Sequence, residues 1–123
     1  MIGTPSQYSP SKLVGLHSPK TLETRGYFMN IKDGDTIVGS LYVKKYKNSY
    51  IIRDVYVIES QRRKGYGKML LEGILEFLIP KNTDIILYVD PINPAQILYT
   101  SLGFKLIKKG AMYGDKYKFT LKQ

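Results

Sequence analysis

The chain contains no cysteine. Disulfides, thiolate metal sites and a cysteine nucleophile are therefore excluded, and the composition suits a reducing compartment. It has a single histidine, His17; that residue sits in a proline-broken stretch without a visible partner and reads as incidental. No apolar run approaches the length that crosses a bilayer, and the polar N-terminus lacks a signal-peptide core. A soluble, cytoplasmic protein without membrane association is expected. Acidic residues are scarce as well. Ten Asp and Glu stand against nineteen Lys and Arg, a net charge of +9. Such a balance favours anionic partners, whether a nucleotide cofactor, nucleic acid or an acidic protein surface, and repels polycations. The lysines are spread through the chain rather than gathered in one block, so compositional drift also explains them.

What is present is enough for one domain spanning 1–123. Hydrophobic residues make up 43% and charged residues 24% of 123 positions, so a core can form and disorder is not expected. Residues 1–25 are the least readable. Pro5, Pro10 and Pro19 forbid a long helix, and two single helical turns are expected, over 11–16 and 19–25, the second with Ser18 as N-cap and Pro19 at the first helical position. From Gly26 the pattern is extended. Strands are predicted over 27–31, 36–45 and 50–58, joined by turns at 32–35, where Asp33-Gly34 signals a tight hairpin, and at 47–49. The third strand is apolar on both faces, as in the middle of a sheet. Residues 66–79 carry Met69, Leu70, Ile74, Leu75 and Leu78 at helical spacing, with Lys68, Glu72 and Glu76 opposite. A buried-type strand over 84–89 comes next, which implies a right-handed crossover and a parallel pair. A second helix runs from 93 or 94 to 101 and is capped by Gly103. Strands over 104–108 and 116–122, separated by a turn or longer hairpin loop over 110–115, close the chain. The order βββαβαββ is an α+β fold with a mixed, mostly antiparallel sheet flanked by helices, preceded by an abbreviated N-terminal region.

The most informative stretch joins the third strand to the first helix: Val57-Ile58-Glu59-Ser60-Gln61-Arg62-Arg63-Lys64-Gly65-Tyr66-Gly67, then Lys68. Two glycines at i, i+2 let backbone N–H groups converge, the helix start adds partial positive charge, and Arg62, Arg63 and Lys64 add full charge. Such a turn can cradle a phosphate, or it can be an ordinary tight connection with solvated charges.

Val57-x-x-x-x-Arg62-x-x-Gly65-x-Gly67 resembles the acetyl-CoA-binding signature of the GCN5-related N-acetyltransferase (GNAT) superfamily. A second segment, Ala95-x-x-Leu98-Tyr99-x-x-x-Gly103-Phe104, resembles that family's C-terminal helix and the strand after it. The two segments, the helix between them and the strand order together cover roughly 26–123. The resemblance implies acetyl-CoA as cosubstrate, with no metal, and transfer of its acetyl group to a primary amine of a small molecule or protein by direct attack. It implies that the backbone at Val55 and Val57 receives the pantetheine arm and that the turn from Arg62, Arg63 and Lys64 through Gly65, Tyr66, Gly67 and Lys68 receives the pyrophosphate. Tyr99 corresponds to the tyrosine that protonates the departing thiolate, although packing of its helix on the sheet also explains it. Asp54 is the candidate for a substrate-binding or base role, and an ion-paired strand residue is the alternative reading.

Three departures from the pattern are present, two bearing on the acceptor and the last, at Ile92, on one CoA contact. Arg53-Asp54-Val55-Tyr56-Val57 resembles the acidic stretch of diamine acetyltransferases, but Arg53 replaces its first acid, which argues against a polyamine. The proline-broken residues 1–25 stand where the family has a strand and two helices, so an acceptor side open to a protein or peptide amine, or completed by a second subunit in a homodimer, is expected. Ile92 stands where the family often has asparagine, with Asn93 one position away. Glu59 reads as a loop residue. The tyrosines 27, 42, 46, 56 and 88 can either line an amine pocket or half-bury themselves in strands. A non-catalytic adaptor that binds nucleic acid or protein through its positive charge is the alternative reading, less favoured because the phosphate turn and Tyr99 are intact.

Overall fold

The computed structural model describes residues 14–22, 26–61 and 65–119. Its centre is the antiparallel meander of β3 (Gly26–Asp33), β4 (Thr36–Tyr46) and β5 (Ser49–Val57). Alternation decides which side chains go inside. Met29 and Ile31, then Val38, Leu41 and Val43, then Tyr50 and Ile52 are buried, whereas Tyr42, Lys44 and Tyr46 point outward and are exposed.

Helix α1 (Tyr66–Leu78) packs across the buried face of β3, β4 and β5. It buries Tyr66, Met69, Leu70, Leu71, Ile74, Leu75 and Leu78, each such aliphatic side chain contributing about 1.5–3 kcal/mol. It ends in a turn containing Pro80, and Asn82 takes up a left-handed conformation. Strand β6 (Asp84–Val89) then pairs parallel with β5, so the strand–helix–strand crossover is present as predicted. Helix α2 (Ala95–Ser101) packs against β7 (Phe104–Ala111), which forms a hairpin with β8 (Gly114–Phe119); β8 inserts beside β6. The whole is one mixed, mostly antiparallel sheet that begins at an edge strand, Val14–Leu16 (β1), and runs in the order β1-β3-β4-β5-β6-β8-β7.

Two expectations are corrected. The N-terminal region does not form helical turns over its described residues. Instead β1 (Val14–Leu16) and β2 (Lys20–Leu22) each pair antiparallel with β3, and the His17 N–H donates to the Asn30 carbonyl at 3.0 Å. A single helical turn must meet the full nucleation cost alone. The outer edge of β3 offers hydrogen bonds to an extended chain at once, and Leu16 gains contact with Gly73 of α1. The predicted loop over 110–115 shrinks to Met112 and Tyr113. Asp115 is buried there and accepts a hydrogen bond from the Gly110 N–H at 2.9 Å, which pins the irregular end of the hairpin. The predicted end of the last strand, 120–122, lies outside the described residues.

Candidate active site

The site begins where β5 loses a partner. Its parallel pairing with β6 runs from Ser49↔Asp84 to Ile52↔Leu87 and stops. Beyond that point β6 stays with β8, through Tyr88↔Lys116 and Val89↔Asp115, while β5 stays with β4 to Val57. The two central strands therefore diverge.

A β-bulge sits at the point of divergence. Tyr42 faces Arg53 and Ser40 faces Tyr56, so Leu41 alone opposes Asp54 and Val55. Asp54 has φ 54, in the left-handed region that costs most side chains about 1–2 kcal/mol but that Asp tolerates better than a branched residue. The extra residue re-aims the side chains beyond it. Asp54 is exposed, Val55 is half-buried, and both wall a cleft of about 870 Å³.

The other walls come from distant parts of the chain. Lys44 and Tyr46 come from β4, Tyr88 and Asp90 from β6 and its exit, Asn93 and Tyr99 from the α2 segment, Tyr113 from the hairpin loop and Lys116 from β8. Tyr99 lies edge-to-face against Phe104, with 6.3 Å between ring centres. Burial pushes its phenol above the ordinary tyrosine value, so the hydroxyl is protonated throughout the neutral range.

The segment that carries Tyr99 is braced by Gln96. Its amide donates to the carbonyls of Pro91 and Asn93, and its Oε1 accepts from the Tyr117 hydroxyl at 3.1 Å, which ties α2 to β8. Asn93 Oδ1 accepts from the Ala95 N–H at 2.9 Å and Asp90 Oδ1 from the Ile92 N–H at 3.1 Å, so each polar side chain in this loop holds backbone.

At the far end of β5 stands the head of α1. Gly65, at φ 82, is its N-cap, and no side chain caps this 13-residue helix. The Met69 N–H makes the first helical bond, to the Gly65 carbonyl at 3.0 Å, so the Gly67 and Lys68 N–H groups precede the ladder and face outward from the helix start. Lys68 is exposed, and the Tyr66 side chain lies in the core, leaving only its backbone for a ligand. A methyl group on Gly67 would meet only Val57, at 3.9 Å. Arg62, Arg63 and Lys64 lie outside the described residues.

The structure thus brings Tyr99, Asp54 and Val55 into one cleft. Gly65, Tyr66, Gly67 and Lys68 gather at a second position, and Val57, half-buried against the core, lies between the two. Lys44, Tyr113, Lys116 and the bracing Gln96 were not singled out from the sequence. Their signal is tertiary, because β8 reaches the cleft only by inserting next to β6. No group of three His, Asp or Glu side chains arranged to hold a metal occurs among the described residues.

The sequence profile of the acetyltransferase (GNAT) domain matches residues 24–106. The chain belongs to this GNAT family. Among solved structures, a GNAT acetyltransferase from Elizabethkingia anophelis with acetyl-CoA bound superposes with a TM-score of 0.72 at 15% identity, over 90% of this chain and 100% of that one. The PaiA N-acetyltransferase of Thermoplasma acidophilum, in complex with coenzyme A, gives 0.67 at 21% identity, over 76% and 60%. A Pyrococcus horikoshii OT3 protein gives 0.69 at 30% identity, over 78% and 66%. No curated protein matches the sequence significantly. The GNAT profile spans α1, both flanking strands and α2, so it includes Asp54, Val55, Val57, the head of α1 and Tyr99, whereas Tyr113 and Lys116 lie beyond it. Among the described residues no helix is long and apolar enough to cross a membrane.

Proposed function

We propose that this GNAT protein is an acetyl-CoA-dependent N-acetyltransferase acting on a primary amine of a small molecule or protein. The observation that carries the reading is the divergence of β5 from β6 at Ile52 and Leu87, with Tyr99 beside the opening and the uncapped head of α1 beyond it.

These residues fit coenzyme A. The edge of β5 that β6 abandons, at Val55 and Val57, offers backbone groups to an extended amide-bearing arm, as an added strand would use them. The outward N–H groups of Gly67 and Lys68, with Gly65 leaving room for close approach, suit a pyrophosphate, and Arg62, Arg63 and Lys64 add charge of the right sign. When bound, the acetyl thioester supplies the activated carbonyl.

An amine attacks only when it is neutral, so a proton must leave the nitrogen. Asp54, held by the bulge at the cleft wall, accepts it directly or through water. The new C–N bond replaces the C–S bond, and the Tyr99 hydroxyl donates to the departing sulfur. Its raised pKa keeps that proton in place until the pH passes the ordinary phenol range, so no loss of activity below that range belongs to Tyr99. Removing the hydroxyl in Tyr99→Phe is expected to lower kcat roughly 10²-fold. The direct test is release of free CoA thiol from acetyl-CoA across a panel of primary amines. Amine-dependent release supports the reading, and no release with any amine overturns it.

A further inference from the structure

The cleft is charged unevenly along its length. Its two acids, Asp54 and Asp90, both lie at the divergent end, past the last β5–β6 pair. Of its bases, Arg53 and Lys116 lie just past that pair, one step short of the acids, and Lys44 and Lys47 lie at the closed end. Lys44 is level with Ile51, Lys47 lies in the β4–β5 turn, and Arg53 and Lys116 sit at the level of Tyr88. Lys44, Lys47 and Arg53 are exposed, and Lys116 is half-buried.

None of these bases is neutralised. Lys44, Arg53 and Lys116 form no ion pair with any described residue, and Lys47 only rests over the Tyr46 ring, 5.6 Å from its centre. Surface lysines normally need no explanation, but four uncompensated cations around one concave site create a local field that favours an anion. The net charge of +9 has the same sign as that field.

We propose that the acceptor is an amine carrying its own carboxylate several bonds from the nitrogen. This rests on the acetyltransferase reading and specifies its second substrate. The amine lies at the Asp54 and Asp90 end, next to Tyr99, and the carboxylate lies back along the cleft against Arg53, Lys116 and Lys44. At about 3.3 Å per strand residue, the span from Asp54 to the level of Lys44 is about 10 Å, with Arg53 and Lys116 nearer. An ω-amino acid with four carbons between its charged groups fits that span, and so does a peptide N-terminus followed by acidic residues. A diamine of the same length would put its second ammonium among the cations, so the site selects against it by repulsion as well as for the acid by attraction.

The test uses the full chain, acetyl-CoA and acceptors matched in shape: 5-aminopentanoate, pentylamine and 1,5-diaminopentane, and the tripeptides Gly-Glu-Glu, Gly-Gln-Gln and Gly-Lys-Lys. At low salt, kcat/KM for an acidic member is expected to exceed that for its neutral counterpart roughly tenfold or more, with the cationic member lowest, and the preference should shrink as salt is added. Which acidic member leads tells a free amino acid from a peptide source. In the doubly substituted Lys44→Glu, Arg53→Glu protein the order should reverse; both positions are exposed, and an unchanged Tm shows that the fold survives. If acetyl-CoA binds by calorimetry and neither acidic probe outperforms its matched partners, the acceptor inference is overturned while the transferase reading is untouched. If acetyl-CoA does not bind and no thiol is released, both fall.

Discussion

The two halves of β5 make the most instructive comparison in the molecule. The first half, 49–52, is paired on both sides, and its Tyr50 and Ile52 are buried in the core. The second half, 53–57, keeps β4, loses β6, carries a bulge and leaves Arg53, Asp54 and Tyr56 exposed. One continuous strand therefore holds the sheet together at one end and opens it at the other. Stability and chemistry are separated by about one residue, so substitutions on either side of Ile52 should fail in different ways.

The largest effect is expected at the closed end. Ile52→Ala removes a buried branched side chain between β4 and β6 and should cost about 2–5 kcal/mol of unfolding free energy, read from denaturant titration. Tyr99→Phe should do the opposite, leaving stability within about 0.5 kcal/mol while kcat falls roughly 10²-fold, because the ring contact with Phe104 that seats this side chain survives loss of the hydroxyl. At the bulge, Asp54→Gly relieves a left-handed position and removes the carboxylate. Stability should hold or rise by up to about 1 kcal/mol, while kcat/KM falls roughly tenfold or more. The Asp54→Val protein, by contrast, should lose about 1–3 kcal/mol, since a branched residue is strained there. The smallest effect is predicted for Gly67→Ala. A methyl group there meets only Val57 at ordinary contact distance, so stability should stay level or rise by about 0.5–1 kcal/mol and acetyl-CoA binding should persist.

The same contrast shows what could be read from the residues alone. The closed half was legible. A run rich in β-branched and aromatic residues predicts a central strand, and the strand–helix–strand order predicts its parallel partner over 84–89, where β6 lies. The resemblance at 57–67 and 95–104 pointed to the head of α1 and to Tyr99; Tyr99 lies in the cleft, and Gly67 at the head of α1 stands next to Val57 at the end of β5.

The bulge was not legible. An Asp in a strand gives no local sign that two residues will oppose one, because register belongs to the pair of strands. The N-terminal strands were missed for a related reason. Three residues such as 14–16 have no strand signal of their own, and their conformation is imposed by the free edge of β3. Gln96 carries no sequence sign of its bracing role, because its partner Tyr117 reaches it only through the β7–β8 hairpin. The basic wall of the cleft drew on Lys44 and Lys116, residues far apart in sequence whose proximity exists only after β8 has inserted beside β6.

The central claim is that the opened half of β5 and the head of α1 form one acetyl-CoA site. Calorimetric titration tests it most directly. Acetyl-CoA should bind the unmodified chain with a Kd of roughly tens of micromolar or tighter, an ordinary range for an enzyme and its substrate. Gly65→Asp, which puts a carboxylate where the pyrophosphate must approach, should abolish that binding without lowering Tm by more than a few degrees. Absence of binding to the unmodified protein, or undiminished binding to Gly65→Asp, would contradict it.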